Sequence, residues 1–481
     1  MNTQRRASNG KVIGLATAGA VGGFLFGFDS SVVNGAVDPI EKQFDLDPTL
    51  TGLAVASALI GCAIGAYFAG RIADRYGRIP AMVIGAILFL VSSIGSGLAF
   101  SVWDLIGWRL VGGLGIGLAS VIAPTYIAEI SPARLRGRLA SLQQLAIVTG
   151  IFAALLSDAL FANAAGGAGE PFWLSWEAWR WMFLVCAVPA IVYGGIALTL
   201  PESPRYLLLK ERDTDARDVL ERIGGTHDPD EAIAEIKADI AKDKQNEATA
   251  TLKGAALGLK PIVWVGIALS VFQQFVGINV IFYYSTTLWK SVGFDESASL
   301  TISVFTSVTN IVVTLVAIAL VDRIGRRILL LIGSVGMTVS LATMAIAFSQ
   351  AEIVKDAPVL PDAWGPIALV AANVFVISFG VSWGPVVWVL LGEIFPTKIR
   401  ARALGVAAAA QWIANFAITV SFPQLAGISL VLTYGLYALF AALSFVFVFT
   451  FIPETKGVSL EEAGRLVGGR IKRAPVKVPT E

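Results

Sequence analysis

Twelve runs of about twenty mostly apolar residues constrain this chain more than any other feature, because a helix of that length crosses roughly 30 Å of hydrocarbon. They fall at 12–37, 50–70, 79–100, 102–123, 139–161 and 179–200. After a gap they resume at 261–289, 300–320, 328–348, 366–391, 404–425 and 430–452. Hydrocarbon offers the backbone no hydrogen-bond partners, so each run must satisfy its own amides as a helix. The predicted fold is an all-α membrane protein with twelve transmembrane helices in two six-helix bundles. The expected divisions are a first bundle over 1–200, a helical linker over 201–260, a second bundle over 261–457 and a tail over 458–481.

Composition agrees with a lipid-facing surface. Charged residues make up 15% of the chain and hydrophobic residues 56%, against about 25% charged in a soluble protein. A net charge of +1 provides no field for nucleic acid. Cys62 and Cys186 lie in apolar runs, and His227 is the only histidine, so neither a disulfide framework nor a metal site is expected. No nucleophile–base set suggests an enzyme, and no cofactor is implied. The basic segment 1–11 lacks a small-residue cleavage site, and the apolar run behind it exceeds a signal peptide's core. A retained first helix is expected.

Cations set the orientation. Arg71, Arg75 and Arg78 follow the second run; Arg134, Arg136 and Arg138 the fourth; Arg323, Arg326 and Arg327 the eighth; Lys398, Arg400 and Arg402 the tenth. The first loop on the other side carries Asp38, Glu41, Asp45 and Asp47 against Lys42 alone. Both termini and the linker are therefore expected in the cytoplasm, with the chain multi-pass in the cell membrane. Trp173, Trp176 and Trp179 fall where an interfacial aromatic belt belongs.

The halves repeat each other. DRYGR at 74–78 matches DRIGRR at 322–327, and Glu129-x-x-Pro132-x-x-x-Arg136-x-Arg138 matches Glu393-x-x-Pro396-x-x-x-Arg400-x-Arg402. PESPR at 201–205 matches PETKG at 453–457. Parallel repeats of this kind build two bundles that rock about a central site. Asp74, Arg75, Arg78, Glu129, Arg136 and Arg138, with Asp322, Arg323, Arg326, Glu393, Arg400 and Arg402, form a candidate cytoplasmic gate of ion pairs. The plainer alternative gives the arginines topology alone, which would not require the matching acids.

Ionisable groups inside a span are costly and mark function. Asp29 sits in GGFLFGFDS, and Arg109 lies inside the fourth run; the two are expected to pair. Protonation of Asp29 would weaken that pair and couple proton binding to conformation. A static pair is the alternative. Gln143, Gln144, Gln273, Gln274, Asn279, Asn310, Gln411 and Asn415 place amides in several helices. Amides donate and accept, as the hydroxyls of a neutral polyol require. Trp388 can pack on a pyranose ring, and the glycine and proline of SWGPVVW at 382–388 can bend the tenth helix beside it. Aligning FLFGFD on QFVGIN superposes Asp29 on Asn279.

These motifs together resemble the sugar porter family of the major facilitator superfamily along nearly the whole chain. Within it, GGFLFGFDSSVVNGAV and GRIADRYGRI look most like actinobacterial glucose permeases, with bacterial xylose–proton symporters also similar. The resemblance implies a major facilitator fold with a cytoplasmic linker, and a monomer that carries a monosaccharide with a proton. It implies that Gln144, Gln273, Gln274, Asn279, Asn310, Trp388 and Gln411 contact the sugar. Phe26, Tyr283, Phe379 and Trp412 would line its cavity, with Asp29 and Arg109 as the proton-coupling pair. Cys186 departs from the glutamate of the xylose symporters, which weakens the coupling inference relative to sugar binding. A uniporter, or a proton symporter of xylose or myo-inositol, remains the alternative. A sugar sensor would need a longer tail.

Overall fold

The computed structural model describes residues 2–131, 133–223, 228–249, 251–354, 357–361, 363–396 and 399–456. The expected tail, 458–481, lies outside them. Among the described residues, twelve helical segments are long and apolar enough to cross a membrane, and they coincide with the twelve runs. The first bundle contains α1 (Asn2–Phe44), α2 (Pro48–Tyr76), α3 (Arg78–Gly97), α4 (Val102–Ile130), α5 (Ala133–Ala165), α6 (Ala178–Val185) and α7 (Ala187–Thr199). Linker helices follow: α8 (Pro204–Leu209), α9 (Asp213–Ile223) and the longer α10 (Pro229–Thr249).

The second bundle contains α11 (Pro261–Phe275), α12 (Ile278–Tyr283), α13 (Ser285–Ser291), α14 (Glu296–Ile324), α15 (Arg326–Ser349), α16 (Trp364–Val381), α17 (Trp383–Ile394), α18 (Arg400–Ile428) and α19 (Leu430–Phe451). The main exception to helix is a short antiparallel pair, Glu352–Val354 with Ala357–Val359.

Three of the spans are interrupted, each where the backbone cannot continue a regular helix. The sixth breaks between α6 and α7 at Cys186, three residues before Pro189. The tenth breaks at Ser382, between α16 and α17, because Pro385 has no N–H for the carbonyl of Val381. The seventh breaks at Gly277, whose φ of 80° is open to glycine at little cost, and again at Tyr284.

Helix termini are satisfied differently at the two ends of the bundle. At the end remote from the arginine-rich turns, local side chains serve as N-caps. Asp47 accepts from Thr49 and Leu50 N–H at 2.7 and 2.9 Å, and Asp295 accepts from Ala298 N–H at 2.7 Å. At the basic end, α3 and α15 follow Gly77 and Gly325 directly and are capped from far along the chain. Small residues set the spacing within bundles: a Cβ on Gly113 of α4 would lie 2.0 Å from the Ala58 carbonyl of α2. In the linker, α9 buries Ala216, Val219 and Ile223 while Arg217 pairs with Asp230 on its solvated side.

Candidate functional site

At the basic end the three repeated motifs close into one unit in each bundle. Arg78 grips Glu129 with Nε and Nη2 at 2.9 and 2.8 Å, and its Nη1 donates to Asp74 at 3.1 Å. Arg205 approaches Glu129 at 4.0 Å. Glu202, from PESPR, accepts from the backbone N–H of Arg78 and Ile79 at 3.0 and 3.2 Å, capping α3.

The second bundle copies this arrangement. Arg326 reaches Glu393 at 3.0 Å, and Glu454 caps α15 through Arg326 and Arg327 N–H at 3.0 and 3.1 Å. The turns explain the glycines: a Cβ on Gly77 would lie 2.3 Å from Glu202, and one on Gly325 would lie 2.6 Å from Glu454. Arg75 stacks over Tyr76 at 5.3 Å, Arg400 donates to the Phe395 carbonyl, and Arg323 and Arg402 are exposed. The side chains of Arg136, Arg138 and Asp322 lie outside the described residues.

Midway along the bundles, a cavity of about 10 Å³ is lined by Phe26, Asp29, Cys62, Arg109 and Tyr283, among others. Small-molecule sites run to roughly 300–1,000 Å³, so this void by itself is too small for a hexose. Asp29 and Arg109 are both buried and both face this cavity. Among the described residues, however, no direct ion pair joins them. The guanidinium instead turns to the Val55 carbonyl at 3.3 Å and lies over the Phe183 ring at 5.6 Å. Its Nε and Nη1 have no hydrogen-bond partner, nor has the buried Oε1 of Gln143 on α5 or of Gln411 on α18.

The second bundle contributes a chain of amides. Asn279 donates to Gln274 at 2.6 Å, Gln274 to Gln273 at 3.4 Å, and Gln273 to the carbonyls of Trp383 and Gly384 at 2.9 and 3.2 Å. The break in α11–α12 and the break in α16–α17 are thus tied together by one glutamine. Phe26 meets Trp412 edge-to-face across the two bundles at 5.6 Å, and Tyr283 lies against Asn415 and Ser30. Asn310 is buried on α14, Gln144 and Phe379 are half-buried, and Trp388 is 42% exposed. The small cavity brings together Phe26, Asp29, Arg109 and Tyr283, but not Gln144, Asn310, Phe379, Trp388 or the amide chain. The backbone differs at the two aligned positions: α1 runs unbroken through Asp29, whereas Asn279 follows the break at Gly277.

At the end opposite the basic turns, polar contacts join the bundles. Asn34 accepts from Thr286 N–H at 3.0 Å and donates to Ser303 at 3.3 Å. Asp38 binds Lys290 at 2.6 Å and Thr287 at 2.7 Å, and Glu296 accepts from Ala168 N–H at 2.6 Å. Burial alone would lower the pKa of Lys290, but Asp38 and Glu296 outweigh it and hold the ammonium above the ordinary lysine range.

The family described as "Sugar (and other) transporter" matches residues 15–467. The chain belongs to this sugar transporter family. A glucose transport protein of Synechocystis is 54% identical over 453 residues, which cover 94% of this chain and 96% of that protein. The D-xylose-proton symporter of Escherichia coli is 34% identical, with 96% of each covered. A partially occluded inward-open structure of the E. coli xylose transporter XylE superposes with a TM-score of 0.80 at 33% identity, covering 93% of this chain and 99% of that one.

The sugar transporter is therefore a carrier of major facilitator fold rather than an enzyme. Two sets of residues escape a reading of its sequence. Glu202 and Glu454 lie inside the motifs PESPR and PETKG, and the repetition of those motifs was the available signal. Asn34, Asp38 and Lys290 sit in unremarkable stretches, and only the folded arrangement brings them together.

Proposed function

We propose that this sugar transporter carries a monosaccharide, glucose foremost, into the cell together with a proton by alternating access. The observation that carries the reading is the unpartnered polar set at the centre. Buried polar groups are normally satisfied, and here Nε and Nη1 of Arg109, Oε1 of Gln143 and Oε1 of Gln411, on three different helices, have no partner. A polyol supplies donors and acceptors to all three. The names of the relatives support the same cargo.

Asp29, facing Arg109 across the small cavity, is the proton-binding group. Its ionised form favours an approach of the guanidinium, and protonation releases it. Gln144, Gln273, Gln274, Asn279, Asn310 and Gln411 hydrogen-bond the sugar, with Phe26, Tyr283, Phe379, Trp388 and Trp412 packing around it when the bundles part. The arginine-rich end faces the cytoplasm, as do both termini, and the protein works as a monomer in the cell membrane. The Arg78–Glu129 and Arg326–Glu393 units brace the helix ends at the cytoplasmic gate. The contacts of Asn34 and Asp38 close the outer end.

The relative at 54% identity is named for glucose without a proton, which favours uniport as the second reading. A pH dye outside proteoliposomes separates the two. Adding glucose alkalinises the medium if the proton is co-transported and leaves it unchanged if the protein is a uniporter.

A further inference from the structure

Asp158 has no place in the site described above, yet among the described residues it is the most deeply buried carboxylate of the spans. It lies on α5 with 0% exposure. Its Oδ2 accepts from the backbone N–H of Gly35 on α1 at 3.1 Å, and its Oδ1 has no partner. The fit is close: a Cβ on Gly35 would lie 2.8 Å from the Asp158 Cβ. The neighbour of Gly35 is Asn34, which makes the contacts to Thr286 and Ser303 that close the outer end.

The titratable groups on the elements packed against this seam include Asp29, Asp38, Glu41 and Lys42 from α1, Asp104, Arg109 and Glu129 from α4, Arg180 from α6 with the Cys186 thiol at its end, and Glu296 and Arg323 from α14. None of them bonds Asp158. Asp38 is engaged by Lys290, Glu296 by Ala168, and Arg109 by Val55. An ionised carboxylate with one backbone donor and no counter-ion is expensive in a dry interior. Closing the outer end around Asp158 therefore requires that it carry a proton.

We propose that Asp158 is a second proton-binding group, whose protonation licenses closure of α1 against α13 and α14 at the outer end. When the bundles part there, water reaches the α1–α5 seam and the carboxylate ionises. When they close, it must be neutral, or the Gly35 amide and Asn34 cannot take their closed positions. The role is positional, distinct from the sugar contacts and from Asp29. It rests on the transport reading only for its functional readout.

The direct test reads the outer end without sugar. Asp45→Cys and Ile428→Cys place spin labels at exposed positions on opposite bundles. Raising the pH should shift their distance distribution to longer values in the otherwise native protein, and leave it short in the Asp158→Asn background. Asp158→Ser is a second neutral variant should the amide not fit against Gly35.

Glucose counterflow at equal pH on both sides gives the second readout. Above the carboxyl's pKa the native rate should fall about tenfold per pH unit, as the neutral fraction does, while with Asp29→Asn present in both backgrounds the Asp158→Asn rate stays level. A label distance that ignores pH in the native background, or responds equally in both variants, overturns the proposal. A pH-dependent distance with no glucose counterflow at any pH would support the switch while removing the glucose reading.

Discussion

The two copies of the arginine–glutamate unit differ in burial, so the same substitution should have unequal effects. In Arg78→Ala, Glu129 loses two charge-assisted bonds where its side chain is 9% exposed, and Arg205 remains only at 4.0 Å. Removing one partner of a buried pair costs about 3–5 kcal/mol, largely because the other charge is stranded. In Arg326→Ala, Glu393 is 22% exposed and keeps the Thr455 hydroxyl at 2.6 Å, so solvent and that bond take up part of the loss. A cost of about 1–2 kcal/mol is expected there. SDS titration of the protein in mixed micelles reads both. The double variant Arg78→Ala/Glu129→Ala should recover part of the loss, because it strands no charge. Equal costs for the two arginines, or a cost at Arg78 below about 1 kcal/mol, would refute the burial argument.

Gln274→Ala should weaken sugar binding by about 1–3 kcal/mol, read by equilibrium binding, by leaving a hydroxyl unpaired. Because Gln274 also holds Asn279 at 2.6 Å, pairing it with Asn279→Ala should cost less than the sum of the two; unchanged affinity would remove Gln274 from the site. Asp29→Asn should abolish accumulation while downhill exchange continues, and normal concentrative uptake would end its coupling role. Lys290→Ala should shift the outer end toward open, raising the access of impermeant labels. Since its pKa is raised, the Asp38 pair is intact across the neutral range and is lost only as pH rises through that elevated value. Label access that does not change in Lys290→Ala would deny the pair a part in closure.

The spans were legible because hydrophobic length is a one-dimensional signal, and each of the twelve runs became a helical span, three of them interrupted. The bend in the tenth was legible too, since Pro385 removes a specific amide. The breaks in the sixth and seventh could have been anticipated from Pro189 and Gly277, but glycines are so frequent here that Gly277 alone did not stand out. What the sequence could not reveal depends on distance in space. Nothing local marks Glu202 as the cap of a helix that begins more than a hundred residues earlier. The amide chain from Asn279 to Trp383 depends on two helix breaks meeting. Asp29 and Arg109 were expected to pair; both line one cavity without an ion pair between them, because the guanidinium turns toward Val55 and Phe183, packing that spacing does not encode.

The central claim, concentrative transport of a sugar with a proton, is tested most directly by labelled glucose uptake into liposomes containing the purified protein, with and without an inward proton gradient. Accumulation above equilibrium that collapses on adding a protonophore is expected. Equilibration without accumulation under the same gradient would contradict it.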